Sequence, residues 1–459
     1  MPPPPPPPEN HCITYQQRTR PQINIQHLHE CDAIPKLKET VAFVFALSTA
    51  TLADPVAKLS LQALERLWDP PHWPLFIDNA GHHHSISTYL ATEHSSKDAY
   101  EKICHSTAQN FSGAPGIEDL LSFYKVENLI EGMTGVEKVQ HDMCPNSCLA
   151  FTGPYSDDVQ CPLCGVSRWN QERLQCTNGW SRVPAKQFTT IPLGPQLQAL
   201  YRDPDQARQM HYLYECTQQI LAELRRTGSI SSVNDIAAGW DYLRAVLDGD
   251  IKKDDIVLMV SLDGAQLYES KQSDCWIYIW IILNLSPDKR YKKVHVCPGG
   301  FIPGPNKPKN IDSFLFVGLH HIAVLQCEGL RIWDVSKDRA FKSDLYLLFT
   351  TADGPGLVCW DGMVGHSGRK GCQVYCPMQG RRKNQGTRWY PALLKPLDNC
   401  VPGSDHPDIN VFQLPLGGSG DYADNLMQVV SAPSQRQWEI RRTETGITKP
   451  PLILGLEPS

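Results

Sequence analysis

The stretch DDIVLMVSLDGAQLYESKQSDCWIYIWIILNL, residues 254–285, decides the fold. It contains two apolar runs, IVLMVSL at 256–262 and WIYIWIILNL at 276–285, which are rich in the β-branched and aromatic residues that favour strands. The second run has ten residues, whereas a membrane-spanning helix needs about 20, so we expect a buried strand there. Because both runs are almost continuously apolar, the sheet is expected to be covered on both faces.

Three further elements follow these two runs. A short β-type piece lies at 293–296, and the run LYLLFTTA at 345–352 predicts another strand. Between them the pattern indicates a helix with Asp312 as its N-cap and Gly329 just past its end. Its apolar face carries Leu315, Leu319, Ile322 and Leu325. The order strand, strand, strand, helix, strand predicts an α/β (α+β) fold, with a mixed sheet flanked by helices.

Composition limits what the whole chain can be. With 459 residues, 41% of them hydrophobic, it can bury a large core. A net charge of -6 argues against a protein that coats nucleic acid along its whole surface, so any DNA contact must be local. The 16 cysteines follow no segment that resembles a signal peptide, which favours reduced thiols and metal ligands over disulfides.

Composition shifts along the chain predict six segments. Two helices stand out: an amphipathic one at 116–135, and one at about 204–226 that Gly228 ends. The expected segments are a disordered Pro-rich N-terminus at 1–35, a helical region at 36–140, a cysteine module at 141–180, a helical connector at 181–250, the strand-rich core at 251–400 and an irregular extension at 401–459.

The cysteine module carries the strongest local motif. Cys144, Cys148, Cys161 and Cys164 are spaced as C-x3-C, a twelve-residue gap and C-x2-C. Two close pairs on separate turns can supply four thiolates to one tetrahedral zinc ion, a structural site with no open position for catalysis. The alternative is four unrelated buried thiols, since cysteine also behaves as a small apolar residue. His141 is either an outer-shell partner of the metal or incidental.

Two aspartates end apolar strands. Asp263 follows IVLMVSL and precedes Gly264, and Asp353 follows LYLLFTTA and precedes Gly354. Carboxylates at the ends of adjacent buried strands can hold a pair of divalent cations for phosphodiester chemistry, with Mg²⁺ as the natural ion. The alternative is that each Asp-Gly pair only makes a turn, in which Asp caps the backbone.

A basic and aromatic stretch follows the second aspartate. Residues 362–397 contain no Asp or Glu. Such a stretch can follow a DNA backbone, but it can equally be a solvated surface. Cys372 and Cys376 within it are candidates for half of a second metal site. The candidate DNA-binding residues are Arg369, Lys370, Arg381, Arg382, Lys383 and Arg388.

From about Ser122 onward, the chain resembles the transposases of CACTA (En/Spm-like) elements in the form common in fungi. The resemblance rests on several long blocks in one order. They include HDMCPNSCLAFTGPY at 141–155, CPLCG at 161–165, QFTTIPLGPQLQALYR at 187–202, PGGFIPGPNKPKNIDSFL at 298–315, EGLRIWD at 328–334, TTADGPG at 350–356 and ITKPPLILGL at 447–456.

The resemblance implies a DDE/D transposase with an RNase H-like catalytic domain. Such an enzyme nicks DNA at the ends of a transposable element and joins the freed 3' hydroxyl to a target, with Mg²⁺ or Mn²⁺ as the catalytic ion. In the family pattern the first acid corresponds to Asp263, the second to Asp353, and the cysteine pair after the second acid to Cys372 and Cys376. DNA is the implied partner, a homo-oligomer is compatible with it, and the implied location is the nucleus.

The third acid of the family pattern has no clear counterpart in the sequence. Asp405, Asp408, Asp424 and Glu439 are candidates only because they are acidic and lie downstream. We therefore expect a truncated catalytic domain that is inactive alone, because a missing metal-binding carboxylate weakens cation binding. The sequence leaves open whether the chain is an enzyme or a non-catalytic, zinc-dependent DNA- or protein-binding remnant.

Overall fold

The structure of the protein is a computed structural model that describes residues 23–31, 34–266, 274–373, 375, 378–382, 386–390, 392–394, 407–410 and 419–456. The chain divides into two compact units. The larger unit consists of Glu39–Asp361 and the residues from Pro451 onward. The smaller unit consists of the residues up to Lys38 and of Gly362–Pro450.

Helices dominate the first half of the larger unit and return in the smaller one. The α-helices of the described residues are α1 Ile25–Cys31, α2 Pro35–Ser48, α3 Leu61–Trp68, α4 Ala80–Ala91, α5 Lys97–Asn110, α6 Phe123–Thr134, α7 Gln171–Cys176, α8 Leu193–Tyr201, α9 Pro204–Gln209, α10 Tyr212–Thr227, α11 Trp240–Asp248, α12 Asp312–Cys327, α13 Gly354–Asp361, α14 Ser419–Val430 and α15 Gln435–Thr445. The strands are β1 Val139–Asp142, β2 Gln187–Thr190, β3 Ile256–Gln266, β4 Asp274–Ile282, β5 Cys297–Pro303, β6 Leu330–Asp334, β7 Arg339–Ser343, β8 Leu345–Thr351, β9 Arg381–Arg382 and β10 Trp389–Tyr390.

A mixed six-stranded sheet organises the larger unit. Its strand order is β1-β2-β5-β4-β3-β8, and β3 and β8 are its parallel pair. The other neighbours are antiparallel. The α/β (α+β) fold class is therefore confirmed, and the order β3, β4, β5, α12, β8 is the predicted strand, strand, strand, helix, strand. The hairpin β6–β7 between α12 and β8 was not predicted.

The continuous apolar run of β3 is explained by a core on each face of the sheet. Side chains alternate along a strand, so alternate residues of β3 face opposite sides. Leu258 and Leu262 belong to a first core that contains α12. Val257 and the partly buried Met259 belong to a second core, which α10 and α11 cover. Each such side chain contributes roughly 1.5–3 kcal/mol when it is fully buried.

The third strand lies later in the chain than its sequence suggests. Residues Lys293–His295 form a 3-10 turn, and β5 begins at Cys297. The sequence CPGGFIP does not look like a strand, because Pro and Gly disfavour strands. Its glycines are required by packing, since a Cβ at Gly299 or Gly300 would lie 2.4 or 2.3 Å from the ring of Tyr278.

Several helix boundaries also differ from prediction. The helix predicted at 204–226 is two helices, α9 and α10, although Gly228 does end the second with a φ of 73°. The amphipathic helix predicted from 116 begins at Phe123 and ends before Gly135 at a φ of 77°. Asp312 is the first residue of α12, so the N-cap position belongs to Ile311. Helix boundaries are the least certain part of a sequence-based assignment.

Regular structure also lies in two segments for which the sequence suggests none. Helix α1 lies within 1–35, and α14 and α15 lie within 401–459. Helix α15 has clear end signals, since the Ser434 hydroxyl accepts from the Gln437 N–H and Gly446 follows at a φ of 81°. Within the described ranges, no helix is long and apolar enough to span a bilayer.

Candidate functional site

The cysteine motif lies in an excursion between two paired strands of the main sheet. Strands β1 and β2 pair from Val139 with Thr190 to Asp142 with Gln187, and residues 143–186 lie between them. Through β2, which pairs with β5, the excursion is anchored in the same sheet as β3 and β8. The four cysteines are therefore part of the larger unit.

The four thiols gather into one group, which we call the cysteine cluster. The sulfur atoms of Cys144, Cys148, Cys161 and Cys164 all lie within 4.8 Å of one another. The Cys144 and Cys164 sulfurs are 3.5 Å apart. Four Zn–S bonds of about 2.3 Å in a tetrahedron place the sulfurs about 3.8 Å apart, so the donor set and its size fit zinc. The cysteine cluster could therefore bind zinc.

Each cysteine pair lies on its own tight turn, as the spacing predicts. In the first, the Ser147 N–H donates to the Cys144 carbonyl over 2.8 Å, and Ser147 adopts a φ of 56°. In the second, the Gly165 N–H donates to the Cys161 carbonyl over 2.8 Å, and Gly165 has a φ of 72°. In both turns a residue with positive φ lets the backbone reverse sharply, within the first pair at Ser147 and directly after the second pair at Gly165.

The pKa values of the thiols differ within the cysteine cluster. Burial raises the pKa of Cys148 to about 11 and that of Cys161 to about 12. Burial acts in the same direction on Cys164, but hydrogen bonds from the Val166 N–H, Cys144 and Asn146 outweigh it, and its pKa is lowered to about 6. Two of the thiols therefore need a metal to lose their protons at neutral pH.

A lysine lies beside the cysteine cluster. The Lys186 ammonium donates to the Ser147 hydroxyl over 3.0 Å and to the Gly304 carbonyl. Burial lowers the pKa of Lys186, while its electrostatic interaction with Cys144 acts in the opposite direction. Nothing in the sequence marks this lysine, because it lies well beyond the second cysteine pair. Its position suits a cation that balances the charge of zinc-bound thiolates.

The sequence predicts that His141 is either an outer-shell partner of the metal or incidental. In the structure its contacts are with Thr190 and Phe188 of β2. Its Nε2 shares a 2.9 Å hydrogen bond with the Thr190 hydroxyl, across the β1–β2 pair. Its ring lies against Phe188, with 5.2 Å between ring centroids. Burial lowers the pKa of His141 to about 3, so the ring is neutral. These contacts give His141 a role in packing the sheet edge.

Asp263 and Asp353 lie at the same end of neighbouring parallel strands. The pairing of β3 with β8 ends at Ser261 and Thr351. Each aspartate follows two residues later, and Asp263 is itself still in β3. Neighbouring strands are about 4.8 Å apart, so a continuation of this register would place Asp263 opposite Asp353.

A β-bulge in β8 sets the register of the residues that lead to Asp353. Leu258 pairs with Leu347, but Met259 pairs with Phe349, so Leu348 is an extra residue in β8. Without it the register would align Asp263 with Ala352, and Asp353 would point to the opposite face. Ala352 instead packs against the first core, as Leu262 does. Asp263 lies on the other face of β3, with Met259, and a continuation of the register would place Asp353 on that face too.

Both carboxylates are exposed and also bind backbone N–H groups. Asp263 Oδ1 accepts from the Gly264 N–H over 2.7 Å. Asp353 Oδ1 accepts from the Gly356 N–H over 2.7 Å, at the start of α13. The turn-forming alternative therefore holds for Asp353, which caps a helix. Within the described residues, the second oxygen of each carboxylate accepts no backbone N–H, so capping does not prevent metal binding.

Asp263 and Asp353 offer carboxylate oxygens, which are the kind of ligand that Mg²⁺ and Mn²⁺ prefer. Magnesium binds proteins through one or two carboxylates and completes its shell with water and substrate phosphates. Among the described residues, the cysteine cluster is the one set of three or more His, Cys, Asp or Glu ligands that comes together. A third carboxylate beside Asp263 and Asp353 is thus not found in that part of the chain.

In the basic stretch, Arg381 is buried and occupied by the protein itself. Its guanidinium donates to the carbonyls of Ala392 and Leu393 over 3.0 and 2.8 Å. It also lies 3.3 Å from the Asp408 carboxylate. Only 6% of Arg381 is exposed. These contacts support a structural role for Arg381, in which it holds the loops of the smaller unit together.

Two of the other basic residues lie against one aromatic ring. The guanidinium groups of Arg369 and Arg382 lie 5.8 and 5.4 Å from the ring centroid of Trp389. Arg382 and Arg388 are exposed, and Lys370 is half-buried. Cys372 is half-buried, whereas its predicted partner Cys376 and the predicted DNA ligand Lys383 lie outside the described residues.

The comparison with known families adds one finding. Residues 246–388 match a family model described as Transposase family tnp2. No curated protein matches the chain. The matched segment begins within α11 and contains β3, β8 and both aspartates. The match supports a transposase family for this segment.

Proposed function

We propose that this chain carries the catalytic core of a DDE/D-type DNA transposase of the CACTA (En/Spm-like) kind. Its reaction is the nicking of DNA at transposon ends and the transfer of the freed strand, with Mg²⁺ or Mn²⁺ as the cofactor. Asp263 and Asp353 supply two of the metal-binding carboxylates. Because its substrate is DNA, the protein would act in the nucleus. Because both ends of the element are transferred, a homo-oligomer is favoured.

The observation that carries this proposal is the parallel pairing of β3 with β8, which ends at Ser261 and Thr351, two residues before Asp263 and Asp353. The segment that matches the tnp2 family includes both residues. Two cations held about 3.5–4 Å apart activate the attacking hydroxyl and stabilise the leaving oxygen of a phosphodiester. The carboxylates would fix the cations at the strand ends, where an exposed surface gives DNA access.

The cysteine cluster has a structural part in this proposal. Three of its four cysteines are buried in the first core, which also contains the inward residues of β3 and β8. A tetrahedral zinc ion with four protein ligands has no open position for substrate. Zinc would therefore hold the sheet edge in place, while the chemistry occurs at the aspartates.

Manganese binding tests the proposal without requiring turnover. The zinc-loaded chain is titrated with Mn²⁺ and followed by electron paramagnetic resonance, with Asp263→Asn, Asp353→Asn and the control Asp338→Asn compared with wild type. Asp338 lies in the β6–β7 turn at a φ of 46°, which Asn tolerates. We expect each of the first two substitutions to weaken Mn²⁺ binding at least about tenfold, or about 1.4 kcal/mol. Equal binding by all four proteins would overturn the proposal.

A second candidate function is a non-catalytic, zinc-dependent DNA-binding protein. It is favoured by the backbone hydrogen bonds that both carboxylates make, since these give the aspartates a use without metal. It predicts salt-sensitive DNA binding that Asp263→Asn leaves intact, together with no Mn²⁺ site and no nicking of terminal-repeat DNA. The Mn²⁺ titration therefore separates the two functions.

A further inference from the structure

The loop after β5 leaves the sheet at the end where Asp263 lies. In the β4–β5 pair, Trp276 is opposite Ile302, and Cys275 is opposite Pro303. In the β3–β4 pair, Trp276 is opposite Gly264. The loop at 304–310, with the sequence GPNKPKN, therefore begins two strands away from the carboxylate pair, at the same edge of the sheet.

Two lysines project from this loop. Lys307 and Lys309 are both exposed. The Lys307 ammonium lies 4.9 Å from the ring centroid of Trp276, which is the residue paired with Gly264. Within the described ranges neither lysine forms an ion pair with a carboxylate. Their charges are thus available to a ligand in a protein whose net charge is -6.

The segment that carries the cysteine cluster holds this loop in place. The N–H groups of Lys309 and Asn310 both donate to the Cys148 carbonyl, over 3.1 and 2.8 Å. The Lys186 ammonium binds the Gly304 carbonyl at the other end of the loop. Pro305 and Pro308 restrict the backbone between these two anchors. A loop fixed in this way loses little conformational entropy when its side chains bind a ligand.

We propose that Lys307 and Lys309 bind the phosphate backbone of DNA at the same end of the sheet as the carboxylate pair, on a loop that the segment of the cysteine cluster holds in place. The proposal rests on the function proposed above and adds a second set of substrate contacts to it. A lysine ammonium suits a phosphate as a point charge and reads no base sequence. Trp276 packs against the first core, on the face opposite to the aspartates, so the DNA would cross the strand ends.

Salt-dependent DNA binding tests this proposal. Binding of a short duplex of arbitrary sequence is measured at several salt concentrations for the full, zinc-loaded chain. The variants are Lys307→Gln/Lys309→Gln, the charge-retaining Lys307→Arg/Lys309→Arg, and the control Lys337→Gln. Lys337 is an exposed lysine in the β6–β7 turn. Each phosphate contact contributes about 0.9 to the slope of log K against log salt, so the Gln pair should reduce that slope by about 1.8.

The outcomes are distinct. The proposal predicts the smaller slope for the Gln pair, and slopes equal to wild type for the Arg pair and for Lys337→Gln. A Gln pair whose slope and affinity equal those of wild type would overturn the proposal and leave the transposase function untouched. If the wild-type chain bound no DNA at any salt concentration, the proposed function would fail together with this one.

Discussion

Ser261 pairs with Thr351 because Leu348, three residues before the end of β8, is an extra residue in the register with β3. A single inserted residue reverses the direction of every side chain that follows it in a strand. Here the reversal affects Thr351, the last residue of β8. A candidate metal site therefore depends on an apolar residue that would contact no metal.

Disulfide cross-linking should detect this register. Cysteines at both aspartate positions are expected to form a disulfide under mild oxidation, because Cα atoms of directly opposed residues on neighbouring strands fall within the 4.4–6.8 Å that a disulfide requires. The control pair, Asp263→Cys with Ala352→Cys, has side chains on opposite faces and should remain reduced. Peptide mapping by mass spectrometry identifies the linked residues. A control pair that links as readily as the test pair would contradict the register.

Zinc removal should destabilise the larger unit as a whole. Cys144, Cys148 and Cys161 belong to its main core, so we expect a chelator to do more than release a surface module. A ligand present at about 1,000 times its Kd stabilises a fold by about 4 kcal/mol, which corresponds to a shift of the melting temperature on the order of 10 °C. Calorimetry with and without the chelator measures the shift.

Cysteine variants provide the controls for that measurement. Cys161→Ser should melt early even when zinc is present, whereas Cys176→Ser should melt like wild type, because Cys176 is exposed on α7 outside the cysteine cluster. Metal analysis should find one zinc per chain in wild type. Equal melting temperatures for zinc-loaded and chelated wild type would contradict a structural role.

Lys186 should tune the affinity of the cysteine cluster for zinc. Its ammonium lies next to Ser147 in the first cysteine turn, and a positive charge there stabilises the negative zinc–thiolate complex. We expect Lys186→Gln to weaken zinc binding about tenfold, the lower end of the range for outer-shell partners. Competition with a chromophoric chelator measures this change. The exposed Lys138 offers a matched control, and an equal loss in Lys138→Gln would remove the local explanation.

Two arginines of the basic stretch should respond differently to substitution. Arg381→Gln should lower the stability of the smaller unit by about 2–3 kcal/mol, because it leaves buried carbonyls without their charged donor. Arg388→Gln should leave stability unchanged, since Arg388 is exposed, and should reduce the salt slope of DNA binding by about 0.9. Parallel melting and DNA-binding measurements test both. A stable Arg381→Gln protein with weakened DNA binding would reverse the two assignments.

The sequence predicts the centre of the sheet better than its edges. Strands β3, β4 and β8 are almost entirely apolar because both faces are covered, and such runs are readable without a structure. Strands β1 and β2, with the sequences VQHD and QFTT, are too short and too polar to be recognised. Strand β5 is hidden by glycines that the ring of Tyr278 requires. These strands depend on tertiary contacts that no local pattern reports.

The residues of the candidate site also differ in how well the sequence predicts their positions. The spacing of the cysteines predicts their gathering, since each pair needs only one local turn. The positions of Asp263 and Asp353 at strand ends are also visible in the sequence, but the register of the strands that lead to them depends on the bulge at Leu348. The burial of Arg381 could not be predicted, because its partners Ala392, Leu393 and Asp408 surround it only after folding.

The pairing of β2 with β5 has a consequence for synthesis of the chain on the ribosome. Thr189 of β2 pairs with Phe301 of β5, so β2 cannot join the sheet until the ribosome has synthesised β5. At roughly 5–20 residues per second, translation leaves β2 without its inner neighbour for about 5 to 20 seconds. During that interval the nascent β1–β2 hairpin exposes unpaired backbone N–H and C=O groups, which can pair with strands of other chains. A metal captured early by the thiols between these two strands would hold the hairpin together until its partner emerges.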